Sequence, residues 1–305
     1  MASMTSHPDP ASSLPETRIT HLSPRDLRVR REECPVAWIP LGTIEWHGKH
    51  MPLGTDGLQA EGLCRHAAAQ IGGVTFPALY VGDHRGITVE VLAAPGVWPG
   101  DAEGRRLTYD HRIEIAREMG VTAEGFLTNA VRDDARIGGR SEQYVELVER
   151  AMWTARSYGF SRIVVVPGHG GTLGPAADAV QRFNDTQSAS TGLSGQDAFI
   201  AEAEVSHGSA WETSTILYLH PELIQFDNLA SEPEDEPAGV SMPRLERHPR
   251  FATSDWGRRT VETFVERIRR ELGEIPPSVH LADPDEDGTP GDWTTRVQSW
   301  TRAFE

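Results

Sequence analysis

The run Arg162-Ile163-Val164-Val165-Val166 limits the fold more than any other part of the chain. An unbroken β-branched stretch lacks the in–out alternation of a half-exposed strand and suits a strand covered on both faces, as in a parallel sheet. Its flanks agree. Upstream, Tyr144, Val148, Ala151 and Ala155 recur at helical spacing and predict a helix over Ser141–Tyr158. Downstream, Leu173–Phe183 reads as another helix. Pro35–Leu41, Val74–Val81, Ile87–Ala93 and Ala198–Val205 read as further strands, and Leu58–Ile71, Trp211–Leu219 and Ser254–Leu272 as further helices. The last places Val261, Phe264, Val265, Ile268 and Leu272 on one face. Strands alternating with helices predict an α/β fold whose mainly parallel sheet is covered on both sides. Ligands bind such sheets beyond the carboxyl ends of the strands.

Charge bears on partners rather than on fold. The 305 residues carry 45 acids against 29 bases, a formal charge of −16, which argues against nucleic acid or an anionic membrane as partner. Residues 1–16, rich in Ser and Pro, read as a disordered lead without the pattern of a signal peptide, and no window is apolar enough to span a bilayer. A soluble, cytoplasmic protein is expected. Residues 17–275 read as one domain. Residues 276–305 read as an extension that packs on the domain or on a neighbouring copy. The acidic stretches Ser231–Pro237 and Asp283–Asp292 read as solvated loops, and Cys34 and Cys64 as small buried apolar residues.

Three strand ends carry residues able to hold a metal. After Leu41 comes Glu45-Trp46-His47-Gly48-Lys49-His50-Met51-Pro52-Leu53-Gly54-Thr55-Asp56. Glu45 and His47 are two apart, so on extended backbone both side chains point the same way. Asp56 follows a Gly/Pro-rich turn that can fold back. Carboxylate with imidazole suits Zn, Mn or Fe. Lys49, the only lysine of the chain, lies inside this stretch. After Val166 comes Pro167-Gly168-His169-Gly170-Gly171-Thr172. These glycines either cradle a phosphate at the following helix or allow tight packing while His169 faces a metal. Ahead of the helix at Trp211 lies His207-Gly208-Ser209-Ala210-Trp211-Glu212-Thr213-Ser214, where Glu212 could also serve only as a cap partner or dipole complement.

Together, EWHGKHMPLGTD at 45–56, PGHGGT at 167–172 and HGSAWETS at 207–214 resemble the creatininase (creatinine amidohydrolase) family, in order and spacing, over roughly residues 18–275. The resemblance implies a three-layer α/β/α sandwich, homo-oligomers that are often hexamers, and two divalent metal ions that hydrolyse C–N bonds of amides. It implies Glu45 as a ligand of one ion, His47 of the other, Asp56 as the bridge and His169 as the next ligand. Glu212 is the candidate to complete the second shell, because Gly171 stands where the creatinine-hydrolysing branch has Glu. His207 matches a histidine that moves protons near the substrate. The chain is therefore expected to sit closer to the formamidopyrimidine deformylase and mycofactocin peptidase branch.

Lys49 replaces a usual Pro, and the family's F-P-G-T segment is not recognisable around Asp83-His84-Arg85-Gly86. Trp46, Lys49, His50, His84, Arg85 and Trp211 are candidates to contact substrate, with His207 and Glu212 as the catalytic pair. The expected reaction is hydrolysis of a small amide or formamide, cyclic for preference, by hydroxide formed between two ions of Zn, Mn or Fe. The competing readings are a metal-dependent hydrolase or isomerase of a non-amide molecule (a lactone or a C–C bond) and a metal-free structural paralogue.

Overall fold

The structure, a computed structural model, describes residues 14–82, 118, 120, 141–186, 190–195, 207–229 and 248–279. The strands expected at 87–93 and 198–205, the acidic loops at 231–237 and 283–292, most of the 1–16 lead and most of the 276–305 extension lie outside the described residues.

Helix α1 (Pro24–Glu33) starts with Pro in its first turn and Ser23 as cap, whose Oγ accepts from the Asp26 amide at 3.2 Å. Such a cap stabilises a helix by about 0.5–2 kcal/mol. Strand β1 (Val36–Leu41) is buried throughout. Helix α2 (Thr55–Gln70) follows, then β2 (Val74–Thr75), α3 (Ser141–Ser157), β3 (Arg162–Pro167), α4 (Leu173–Thr186), β4 (Thr191–Ser194), α5 (Ala210–Leu219) and α6 (Ser254–Leu272). Among the described residues four strands pair in the order β2-β1-β3-β4, every pair parallel, with Val36 opposite Arg162 and Leu41 opposite Pro167.

The strands β1 and β3 divide their side chains between two cores. Val36, Trp38, Val164 and Val166 pack with Leu63 and Ala67 of α2, Trp211 and Leu219 of α5, and Phe264 and Ile268 of α6. Ala37, Ile39, Ile163 and Val165 pack on the other face with Val148 and Met152 of α3 and Ala176 and Phe183 of α4. The architecture is thus a three-layer α/β/α sandwich, and the β-branched run of β3 is its doubly covered centre. No described helix is long and apolar enough to cross a membrane.

Four elements depart from expectation. The strand expected over Val74–Val81 is only two residues long. The chain nevertheless stays beside β1, with the Leu79 amide donating to the Pro40 carbonyl. Helix α1 and the short strand β4 were not anticipated: α1 lacks a buried face, and Thr191–Ser194 is too short and polar to show a period. Finally, α2 begins at Thr55, three residues before the expected start, so Asp56 sits in a helix's first turn. There a carboxylate is favoured by the helix dipole.

Candidate metal centre

The carboxyl ends of β1 and β3 and the amino ends of α2 and α5 converge on one point. Glu45 and His47 come from the loop after β1, Asp56 from α2, His169 from the turn after β3, and His207 and Glu212 from the amino end of α5. Two glycines permit the approach. A Cβ on Gly168 would lie 2.1 Å from the Asp56 carbonyl oxygen, so only glycine lets the end of β3 lean on the first turn of α2. Gly208 has φ of +65°, a left-handed conformation that favours glycine, and its amide donates to Glu212 Oε2 at 2.5 Å.

Asp56 stands at the middle. Its Oδ1 lies 3.1 Å from His47 Nε2 and its Oδ2 3.2 Å from His169 Nδ1. Glu45 Oε2 is 3.0 Å from the same His169 nitrogen. Glu212 Oε1 is 3.9 Å from His47 Nε2. One donor group is therefore Glu45, Asp56 and His169, another is His47, Asp56 and Glu212, and the ligand atoms of each lie within 4.8 Å of one another. Glu45, His47 and His207 form a third, overlapping group.

The ring orientations are set from outside. A main-chain carbonyl only accepts, so His47 Nδ1–H donates to the Glu45 carbonyl at 3.1 Å and Nε2 faces the centre. His207 Nε2–H likewise donates to the Trp46 carbonyl. In the neutral ring Nδ1 then keeps the lone pair, and it points towards Glu45 Oε2, 3.9 Å away. The rings of His47 and His207 are 4.2 Å apart.

Burial and charge compete at each group. Burial drives His47 downward, but the carboxylates of Asp56, Glu212 and Glu45 outweigh it and carry the imidazole up to about 10. Burial opposes protonation of His169 too, and its contacts with Asp56 and Glu45 raise it to about 11. Asp56 is held below the ordinary carboxylate range: burial pushes it up, and His47 and His169 more than reverse that. Glu212, buried, is pushed up to about 7 by burial against the pull of His47. His207 falls to about 4 through burial and the neighbouring His47.

The donors fit a divalent cation. Glu45 Oε2 and Asp56 Oδ2 are buried carboxylate oxygens with no hydrogen bond of good geometry, although ring nitrogens lie about 3 Å away. Burying charge without compensation is costly. A cation among these atoms would satisfy both oxygens, and mixed carboxylate–imidazole donors suit a borderline metal.

The remaining expected residues are distributed differently. Trp46 is buried, with no hydrogen-bond partner for its Nε1 among the described residues. Trp211 is buried in the core beneath α5. Half-buried Lys49 has its Nζ 3.5 Å from a Glu118 carboxylate oxygen. His50 is buried, and its Nε2 meets Thr213 Oγ1 at 2.8 Å. His84 and Arg85 lie outside the described residues. Sequence reasoning missed Thr213 and Gln59. The Gln59 amide donates to the Gly168 carbonyl at 2.7 Å. Its signal was available: an amide on the buried face of α2, one turn after Asp56.

Comparison with known proteins shows the family. The family model described as creatinine amidohydrolase matches residues 20–101 and 137–272, well over half of the chain. The chain belongs to the creatininase family. Members of this family are metal-dependent amidohydrolases. The chain is 24% identical over 276 residues to creatinine amidohydrolase of Pseudomonas putida, covering 83% of this chain and 94% of that one. It is 28% identical over 263 residues to the mycofactocin precursor peptide peptidase of Mycobacterium ulcerans (strain Agy99), covering 78% and 88%. The creatininase fold is seen directly in solved structures. A manganese creatininase superposes with a TM-score of 0.55 at 19% identity, covering 86% of this chain and all of the other. A mutant creatininase of the Zn-Zn type gives the same values, and another mutant, complexed with creatine, gives 0.54 at 18% identity over 85% of this chain and 98% of the other.

Proposed function

We propose that this creatininase-family chain is a dinuclear metal hydrolase that cleaves the C–N bond of a small amide or formamide, a cyclic one for preference. One observation carries the reading: Asp56 turns its two oxygens to two different donor groups, as a carboxylate bridging two ions must. Glu45, Asp56 and His169 would hold one ion, and His47, Asp56 and Glu212 the other. Glu212 then does the work that Gly171 cannot. Zn, Mn or Fe bound there would supply an activated water and polarise the carbonyl of the substrate.

The protein's own groups do the rest. The buried carboxylates of Asp56 and Glu45 would define where cations sit. His207 is neutral near pH 7, with its proton held on Nε2 by the Trp46 carbonyl. Its Nδ1 can take a proton from the attacking water and return it to the leaving nitrogen as the C–N bond breaks, giving acid and amine. Trp46 and Lys49 lie on the same loop and would contact the substrate beside the centre. The absence of a carboxylate at Gly171 argues against creatinine, and the relative named as a peptide peptidase makes short peptides the alternative to test.

Exposed Ile44, Leu53, Val81 and Phe226 support association with further copies, a hexamer by family resemblance. Light scattering that gave a monomer mass would overturn that part.

The experiment for the activity is metal analysis of the purified protein, then a panel of cyclic amides, formamides and short peptides assayed for ammonia, amine or formate. Two transition ions per chain and turnover of one class are expected, and Asp56→Asn should lose both. Hydrolysis that survives full metal removal would sink the proposal.

A further inference from the structure

We infer that His50, although it lies in the metal-binding loop, is a positioning residue that seats Glu212. The inference rests on the dinuclear reading above. The ring of His50 is 1% exposed, so it has no open side on which to meet a substrate. Its Nε2 lies 2.8 Å from Oγ1 of Thr213, the residue after Glu212 in α5, and Thr213 is itself fully buried. The His50 carbonyl accepts from the Gln225 amide at 2.9 Å, and the Lys49 carbonyl accepts from Asn228 Nδ2 at 3.2 Å. Three hydrogen bonds thus fasten residues 49–50 to α5 and to the turns that follow it.

The consequence is specific to one donor group. Glu212 belongs with His47 and Asp56, whereas Glu45, Asp56 and His169 take nothing from α5. The rotation and height of α5, with the Gly208 amide holding the other carboxylate oxygen, bring Glu212 Oε1 to 3.9 Å from His47 Nε2. Among the described residues no carboxylate lies at ion-pair distance from either ring nitrogen of His50 and Nδ1 is buried without a hydrogen bond, so donating through Nε2–H is the cheaper tautomer: a lone pair is left unmatched rather than an N–H. An amide NH at the same place would keep the bond, which makes Gln the conservative replacement and Ala the disruptive one.

The test is a titration of metal-free protein with Mn²⁺, followed by electron paramagnetic resonance. The parent should bind two equivalents and show an exchange-coupled signal. His50→Ala and Thr213→Val should bind the first equivalent with affinity near the parent's and the second at least tenfold more weakly, with an uncoupled six-line signal. His50→Gln should restore the coupled signal. Thr213→Val keeps the shape of the side chain, so it reports even if His50→Ala folds poorly, and thermal melts of the metal-free forms identify such a failure. Parent-like binding of both equivalents in Thr213→Val overturns the positioning role alone. Equal weakening of both equivalents also overturns it, since it would mean a general structural role. A parent that binds fewer than two ions overturns the dinuclear reading, and this inference with it.

Discussion

The side-chain amide of Gln59 donates a 2.7 Å hydrogen bond to the main-chain carbonyl of Gly168. It ties the helix that bears Asp56 to the residue just before His169, across a gap that only glycine leaves open. Gln59→Leu would leave that buried carbonyl without its donor, at a cost of about 1–3 kcal/mol. We expect urea unfolding of the metal-free protein to shift by that amount. The group containing His169 should also bind metal more weakly, whereas substitutions at Thr213 act on the other group. Separate Mn²⁺ isotherms for the two variants check the contrast.

Metal binding should release protons. In the metal-free protein His47 is raised to about 10 and His169 to about 11, so both rings are protonated at pH 7 against Asp56 and Glu45. A metal takes a nitrogen only after its proton leaves. Two protons should therefore depart as the centre fills, with a fraction more from Glu212, whose carboxyl is pushed up to about 7. Raising the pH removes this competition, so affinity should rise from pH 6 to pH 9. Calorimetry in buffers of different ionisation enthalpy counts the protons, and pH-independent affinity would contradict the assignment.

The same shifts predict how the metal-free fold responds to alkali. A histidine whose folded pKa is raised stabilises the fold fully below its unfolded value of about 6.5 and loses that contribution as the pH climbs through the folded value. For His47 the window runs from about 6.5 to about 10. Metal-free protein should melt at a lower temperature at pH 10 than at pH 7. Metal-loaded protein should lack this component, because ligands have replaced the protons. Parallel melts at the two pH values measure the difference.

How much of this was legible in the sequence follows from the physics of each element. The β-branched run of β3 and the apolar stripe of α6 declare themselves because burial on two faces, or on one stripe, leaves a periodic signal. The loop residues Glu45, His47 and Asp56 were visible because metal-capable side chains crowd one short, glycine-rich stretch after a strand. Contacts between distant segments leave no period. Nothing in the sequence pairs His50 with Thr213, 163 positions away, or shows that Asp56 opens a helix rather than closing a loop. Gly168 looked like a possible phosphate cradle because glycine serves both close packing and anion binding. The 2.1 Å that a Cβ would leave to the Asp56 carbonyl oxygen shows why close packing needs it.

That clearance yields its own prediction. Gly168→Ala must push β3's end away from α2, costing about 1–3 kcal/mol by overpacking. The displacement falls between Asp56 and His169, whose facing atoms are now 3.2 Å apart. Loss of metal should therefore exceed loss of fold. Zinc content after dialysis should drop sharply in a variant that still melts cooperatively, and an Ala variant with full metal would show that the turn can shift without consequence.

His207 separates chemistry from metal binding. Its Nε2–H is committed to the Trp46 carbonyl, and in the proposed mechanism Nδ1 would carry a proton between water and the leaving nitrogen. The ring is lowered to about 4 by burial and by His47, so it rests neutral and accepts before it donates. An asparagine there can still bond to the Trp46 carbonyl but has no basic nitrogen. His207→Asn should keep both metal equivalents and a near-normal KM while kcat falls by roughly 10²–10⁴-fold. Substrates with better leaving groups need less help from a proton and should lose less. A uniform loss across leaving groups would place His207 in binding rather than in proton transfer.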